Sequence, residues 1–79
     1  MSEEAVLYGA KSDEATQKVQ AFLDGKKIAF KFVDVDQDKV GETIVKEMND
    51  GARKIPMLVT PQGSFLTQPS DDDLKKAFP

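Results

Sequence analysis

Phe30-Lys31-Phe32-Val33-Asp34-Val35-Asp36 is the stretch on which the fold turns. Aromatic and β-branched residues alternate with polar ones, which suits a strand with a buried face, and the aspartates that follow bring turn and helix-cap chemistry. The strand is read over Ile28–Val35. Upstream, Ala5-Val6-Leu7-Tyr8, closed by Gly9, is a short apolar run expected of a strand packed on both faces. Between the two, Ser12 stands before Asp13 and Glu14, so a hydroxyl can cap a helix whose first turn carries two carboxylates. Ala15, Val19, Phe22 and Leu23 then fall at i, i+4, i+7 and i+8, predicting one apolar stripe that stops at Gly25-Lys26-Lys27. Strand, helix and strand in this order make a parallel pair with a right-handed crossover.

Downstream of the aspartates, Val40, Ile44 and Met48 recur every four residues and predict a second helix ended by Asn49-Asp50-Gly51. Gly41 should weaken its first turn by about 1 kcal/mol relative to alanine. Met57-Leu58-Val59-Thr60 and Ser64-Phe65-Leu66 flank Pro61-Gln62-Gly63, the spacing of a hairpin opened by proline. Ser70 before Asp71, Asp72 and Asp73 gives a capping-box-like start to a closing helix with Leu74 and Phe78. The order β-α-β-α-β-β-α predicts an α/β fold, a four-stranded mixed sheet with helices packed on it, in a single domain over residues 1–79. Phe22, Phe30, Phe32, Phe65 and Phe78 are expected in or near the core.

The chain has 79 residues, no cysteine and no histidine. A domain this small buries only roughly 60–65% of the surface it exposes when unfolded, yet it has neither disulfide nor zinc staple available. The same two zeros exclude thiolate nucleophiles, Ser-His-Asp triads and imidazole bases. Eleven basic against fourteen acidic side chains give a net charge of −3, poorly suited to a phosphate backbone, so no nucleic-acid partner is expected. No apolar run approaches the roughly 20 residues of a membrane span, and Met1-Ser2-Glu3-Glu4 lacks the basic start of a secretory signal. A cytoplasmic monomer with no membrane association and no bound metal is the expectation.

Taken together, the element order and four local features resemble the glutaredoxin branch of the thioredoxin fold over essentially the whole chain. They are Val6-Leu7-Tyr8 leading into a helix at Asp13, the Val33-Asp34-Val35-Asp36 strand ending, Arg53-Lys54-Ile55-Pro56, and Ser70-Asp71-Asp72 before the last helix, all at the family's intervals. The resemblance implies thiol or selenol oxidoreductase ancestry and a cis bond at Ile55-Pro56. It also places the family's Cys-x-x-Cys on Asp13-Glu14-Ala15-Thr16, so Asp13 holds the nucleophile's place and Thr16 the resolving place. Neither can exchange disulfides. Gln68 and Pro69 stand where glutathione-binding members usually carry two glycines.

Two readings of Asp13 follow. In one it is a helix-start acid and nothing more; in the other Asp13-x-x-Thr16 is a one-atom redox site whose cysteine or selenocysteine has been replaced. The resemblance further implies that the backbone of Ile55, beside Pro56, can pair with an extended peptide or a thiol tripeptide. Lys11, Ser12, Arg53 and Lys54 would border this groove, the cations able to hold ligand carboxylates. Asp71 matches the residue that meets the γ-glutamyl end of glutathione in binding relatives. The function implied is a redox-inactive relative of the oxidoreductases, with glutathione or a redox partner protein as candidate ligands. The alternative is a non-catalytic module that binds glutathione, a peptide or a partner protein at the Pro56 groove.

Overall fold

A computed structural model describes residues 4–79 of the chain; the acidic start at residues 1–3 lies outside it. Strand β1 (Ala5–Gly9) leads to helix α1 (Glu14–Gly25), β2 (Phe30–Asp34), α2 (Lys39–Met48), the hairpin strands β3 (Met57–Val59) and β4 (Phe65–Thr67), and α3 (Asp71–Ala77). The sheet order is β2-β1-β3-β4. β1 and β2 are parallel, with Ala5 opposite Phe30 and Gly9 opposite Asp34, while β1–β3 and β3–β4 are antiparallel. The mixed sheet expected from the element order is therefore the one formed. No helix among the described residues is long and apolar enough to cross a membrane.

The pleat sorts side chains to two faces. On one face Ala5 and Leu7 of β1, Leu58 of β3, Val19 and Leu23 of α1 and Leu74 of α3 form the main core, with Phe22, Phe30, Phe32 and Phe78 packed against it. Each fully buried leucine here contributes about 1.5–3 kcal/mol relative to an exposed one. On the other face Val35, Val45 and Met57 form a smaller cluster with Tyr8, Ile44, Ile55 and Val59, under α2. Asn49 ties α2 to the hairpin: its side-chain amide donates to the Val45 carbonyl at 2.7 Å, and its side-chain oxygen accepts the Thr67 hydroxyl at 2.8 Å.

Several local expectations are corrected. The cap of α1 is Asp13, not Ser12, because the helix starts one residue later and it is the aspartate whose side chain reaches the N–H of Thr16. The buried stripe accordingly runs through Thr16, Val19 and Leu23, and Ala15 is exposed. The stop of α1 at Gly25-Lys26-Lys27 is as expected: the helix ends at Gly25, and Lys27 adopts φ 58°, with Lys27 N–H on Asp24 O and Ile28 N–H on Leu23 O, a Schellman ending without glycine at the left-handed position. β2 is shorter than Ile28–Val35 at both ends. In α2 the face turned to the sheet is Gly41 and Val45, with Ile44 packed beside them; of the expected Val40-Ile44-Met48 stripe the two outer members are out of it, Val40 70% exposed and Met48 42%. Gly41 is there because a Cβ would lie 2.5 Å from Val33 Cγ1, so its absence lets α2 sit close on β2. Phe65, expected in or near the core, is exposed on the short strand β4 at the sheet edge.

The hairpin and α3 match expectation. Gly63 N–H donates to Thr60 O at 2.9 Å across Pro61 and Gln62, and Gly63 takes φ 97°, a conformation only glycine adopts freely. Ser70 caps α3 with a reciprocal capping box to Asp73.

Candidate functional site

The strand pairing brings the singled-out residues to one end of the sheet. Gly9 ends β1 opposite Asp34, and Tyr8 lies opposite Met57, which is in turn opposite Thr67. The segments that follow β1, β2 and β4, and the one that precedes β3, therefore meet there. They carry Lys11 to Asp13, Asp36 to Asp38, Arg53 to Pro56, and Gln68 to Asp71. In an open α/β sheet the carboxyl end of the central parallel strands is where ligands bind.

Asp13 and Thr16 form a closed unit. One oxygen of the Asp13 carboxylate, Oδ2, accepts both the Thr16 N–H at 2.9 Å and the Thr16 hydroxyl at 2.7 Å. The Thr16 hydroxyl oxygen in turn receives the Ala10 N–H at 3.4 Å, and the side chain is fully buried. Gly9 makes room for it, since a Cβ there would stand 2.5 Å from Thr16 Cγ2 and Oγ1. The turn before the helix is closed as well, by Asp13 N–H on Ala10 O and by the Gln17 side-chain amide on Lys11 O at 2.7 Å. Ser12 is exposed and makes no part of the cap.

The Ile55-Pro56 peptide bond is cis and Pro56 is buried. Pro56 O accepts the Gln68 N–H at 2.7 Å, and Ile55 O receives only the Gln68 side-chain amide, at 3.4 Å. No described residue accepts the Ile55 N–H. The described residues enclose no cavity, so the expected groove is an open surface.

The three cations expected along this surface differ in availability. Arg53 is ion-paired through Nη2 to Asp36 and through Nε to Glu42 at 3.1 Å. Lys11 and Lys54 are exposed and form no ion pair among the described residues. Asp71 is exposed in the first turn of α3, where the capping contact is made by Asp73 instead. The Ser70 backbone and side chain hold the Asp73 carboxyl below its ordinary value, with a smaller contribution from Lys76. No group of metal-binding side chains occurs among the described residues.

Sequence reasoning missed Gln68 as the neighbour of Ile55, and Asp36 and Glu42 as the partners of Arg53. Gln68 has no motif to announce it, and it takes a left-handed φ of 49° to bring its N–H onto Pro56 O. The Arg53 partners lie 17 and 11 positions away in sequence, across α2. An acid directly after β2 is the one hint the sequence offers.

No family model matches the chain. A protein named as a glutaredoxin in each of two strains of Mycobacterium tuberculosis is 31% identical over 58 residues, covering 73% of this chain and 69% of the relative. The crystal structure of a glutaredoxin from Archaeoglobus fulgidus superposes with a TM-score of 0.75 over 95% of this chain and 85% of that one, at 15% sequence identity, which speaks for the fold. At this identity and coverage to relatives named as glutaredoxins, the chain belongs to the glutaredoxin family.

Proposed function

We propose that this chain is a glutaredoxin-family binding module without thiol–disulfide exchange, which uses the surface beside Pro56 to take up an extended peptide segment of a partner protein. The observation that carries the reading is the backbone of Ile55: among the described residues its N–H has no acceptor and its carbonyl is held only by one long side-chain contact, next to a buried proline. An extended peptide could supply an acceptor and a donor to that residue, as one strand does to another. The chemistry that would compete with this role is missing, because exchange needs a thiolate and the 79 residues have no cysteine. The expectations of a cytoplasmic monomer with no nucleic-acid or membrane partner belong to the same reading.

The test is chemical-shift mapping of the 15N-labelled chain with a capped, uncharged peptide of alternating alanine and valine. Saturable shifts centred on Ile55 and Gln68 are the expected result. No saturable shift at millimolar peptide overturns the reading.

A second reading, that Asp13-x-x-Thr16 is a one-atom redox site with its reactive atom replaced, is favoured by the position of Thr16. Its N–H and hydroxyl both point at the side chain of residue 13, at 2.9 and 2.7 Å, and the same two donors would hold a thiolate there. Asp13→Cys decides it. Under this reading the new thiolate attacks the glutathionyl sulfur of a mixed disulfide between glutathione and a small thiol, releasing the small thiolate and leaving a protein–glutathione disulfide; reduced glutathione then attacks that disulfide, releasing the protein thiolate and forming oxidised glutathione. Turnover well above that of a free thiol supports a substituted site; the free-thiol rate supports the binding module alone.

A further inference from the structure

The surface beside Ile55 is not bare in the free chain, because the side chain of Gln68 already reaches it; the inference drawn from this contact rests on the Pro56 reading above. Gln68 touches the stretch twice. Its backbone N–H donates to Pro56 O at 2.7 Å, and its side-chain amide donates to Ile55 O at 3.4 Å. The two contacts differ in strength. The first is short and well formed, whereas the second lies at the long limit of a hydrogen bond in a solvent-exposed position.

Residues on both sides hold the backbone of Gln68 in place. Thr67, the last residue of β4, lies opposite Met57, and its hydroxyl donates to Asn49 Oδ1 at 2.8 Å. Ser70, two residues beyond Gln68, caps α3 through its reciprocal bonds with Asp73, and the ring of Pro69 between them locks φ. Gln68 itself takes φ 49°, a left-handed conformation that a non-glycine residue keeps only where its surroundings impose it. The side chain is different. It is exposed, and the contact with Ile55 O is its one hydrogen bond among the described residues. A rigid base with a weakly held tip is the build of a group that can be displaced without disturbing the fold.

We infer that the Gln68 side chain is a displaceable clasp on the binding surface: it occupies the Ile55 carbonyl in the free chain and leaves when an extended segment donates its own N–H there. The segment that displaces it brings both partners, a donor for Ile55 O and an acceptor for Ile55 N–H, as strand backbone does. At the carbonyl one hydrogen bond replaces another, so the gain from the incoming N–H is reduced by the bond given up. Taking the donor away from the side chain of residue 68 removes that competition, while the backbone bond to Pro56 O stays.

The experiment uses the full chain and the capped alanine–valine peptide, with dissociation constants read from the Ile55 amide shift. Two variants are compared with the unaltered chain: Gln68→Ala shortens the side chain, and Gln68→Met keeps its length without an N–H. Both keep the backbone donor, and the dispersion of their amide spectra checks their fold. Each is expected to bind the peptide about two- to fivefold tighter than the unaltered chain, the low end of what one hydrogen bond contributes. The side-chain amide signals of Gln68 in the unaltered chain give a second readout that needs no variant. They should move toward the positions of a free glutamine amide as the peptide saturates the surface. Equal or weaker binding by both variants, tighter binding by only one of them, or side-chain signals unmoved at saturation overturns the clasp while the peptide reading survives. If the peptide binds at Ile55 in none of the three proteins, the peptide reading falls and this inference falls with it.

Discussion

Gly41 and Val33 meet where α2 crosses β2, and the contact depends on a hydrogen standing where any other residue has a methyl group. A Cβ at Gly41 would come within 2.5 Å of Val33 Cγ1, closer than packed atoms approach. Helix propensity favours alanine over glycine by about 1 kcal/mol, but pushing a methyl group into a filled interface costs about 1–3 kcal/mol. The steric term should win, because Val33 is a β-branched strand residue with little freedom to move. Gly41→Ala is therefore expected to destabilise the chain by about 1–2 kcal/mol in urea unfolding, and Val33→Ala in the same chain should recover much of the loss. A stabilised single variant would contradict the packing described. A comparable fit holds Thr16 against Gly9, and there it keeps the hydroxyl that bonds Asp13 in place.

At the scale of elements, α3 shows how a seven-residue helix is held at the edge of a small domain. Leu74 is its buried anchor, and the Ser70–Asp73 capping box satisfies its first turn. Because Ser70 holds the folded Asp73 carboxyl below its ordinary value of 3.8, the contribution is fully present above that value and is lost as pH falls below it toward the folded pKa. Asp73→Asn should therefore flatten the acid limb of stability below about pH 4 while leaving its shape near neutrality unchanged. Far-UV circular dichroism across an acid titration checks it, and an acid limb identical in the two proteins would contradict it.

Which elements could be read from the sequence follows from the same physics. β1, the hairpin and α3 are announced by local signals: a closed apolar run, Pro-x-Gly at hairpin spacing, and a serine before three aspartates. The buried face of α2 was not legible, because Val40, Ile44 and Met48 repeat as well as Gly41 and Val45 do, and only contact with Val33 shows that the glycine faces inward. The cap of α1 was ambiguous between two adjacent residues of equal cap propensity, Ser12 and Asp13, and the reach to Thr16 decides between them. At the site, Pro56 and Ile55 were legible through the family resemblance, whereas the capture of Arg53 depends on residues brought together across a helix.

For the whole molecule, one arrangement underlies the binding proposed. The carboxyl end of the central strands carries a closed carboxylate–threonine cap, and at the same end lies the surface at Ile55, whose N–H has no acceptor among the described residues. The fold supplies that surface with or without a thiol, since it comes from the start of β3 and its register with β1 and β4. The central claim is that an extended segment pairs with Ile55 as a strand would. Its most direct test is the intermolecular nuclear Overhauser pattern of the capped alanine–valine peptide bound to the labelled chain. Backbone contacts from one peptide residue to the Ile55 amide and α protons are predicted; contacts confined to other surfaces, such as the β2 edge at Lys31 or the exposed face of α2 at Val40, would contradict it.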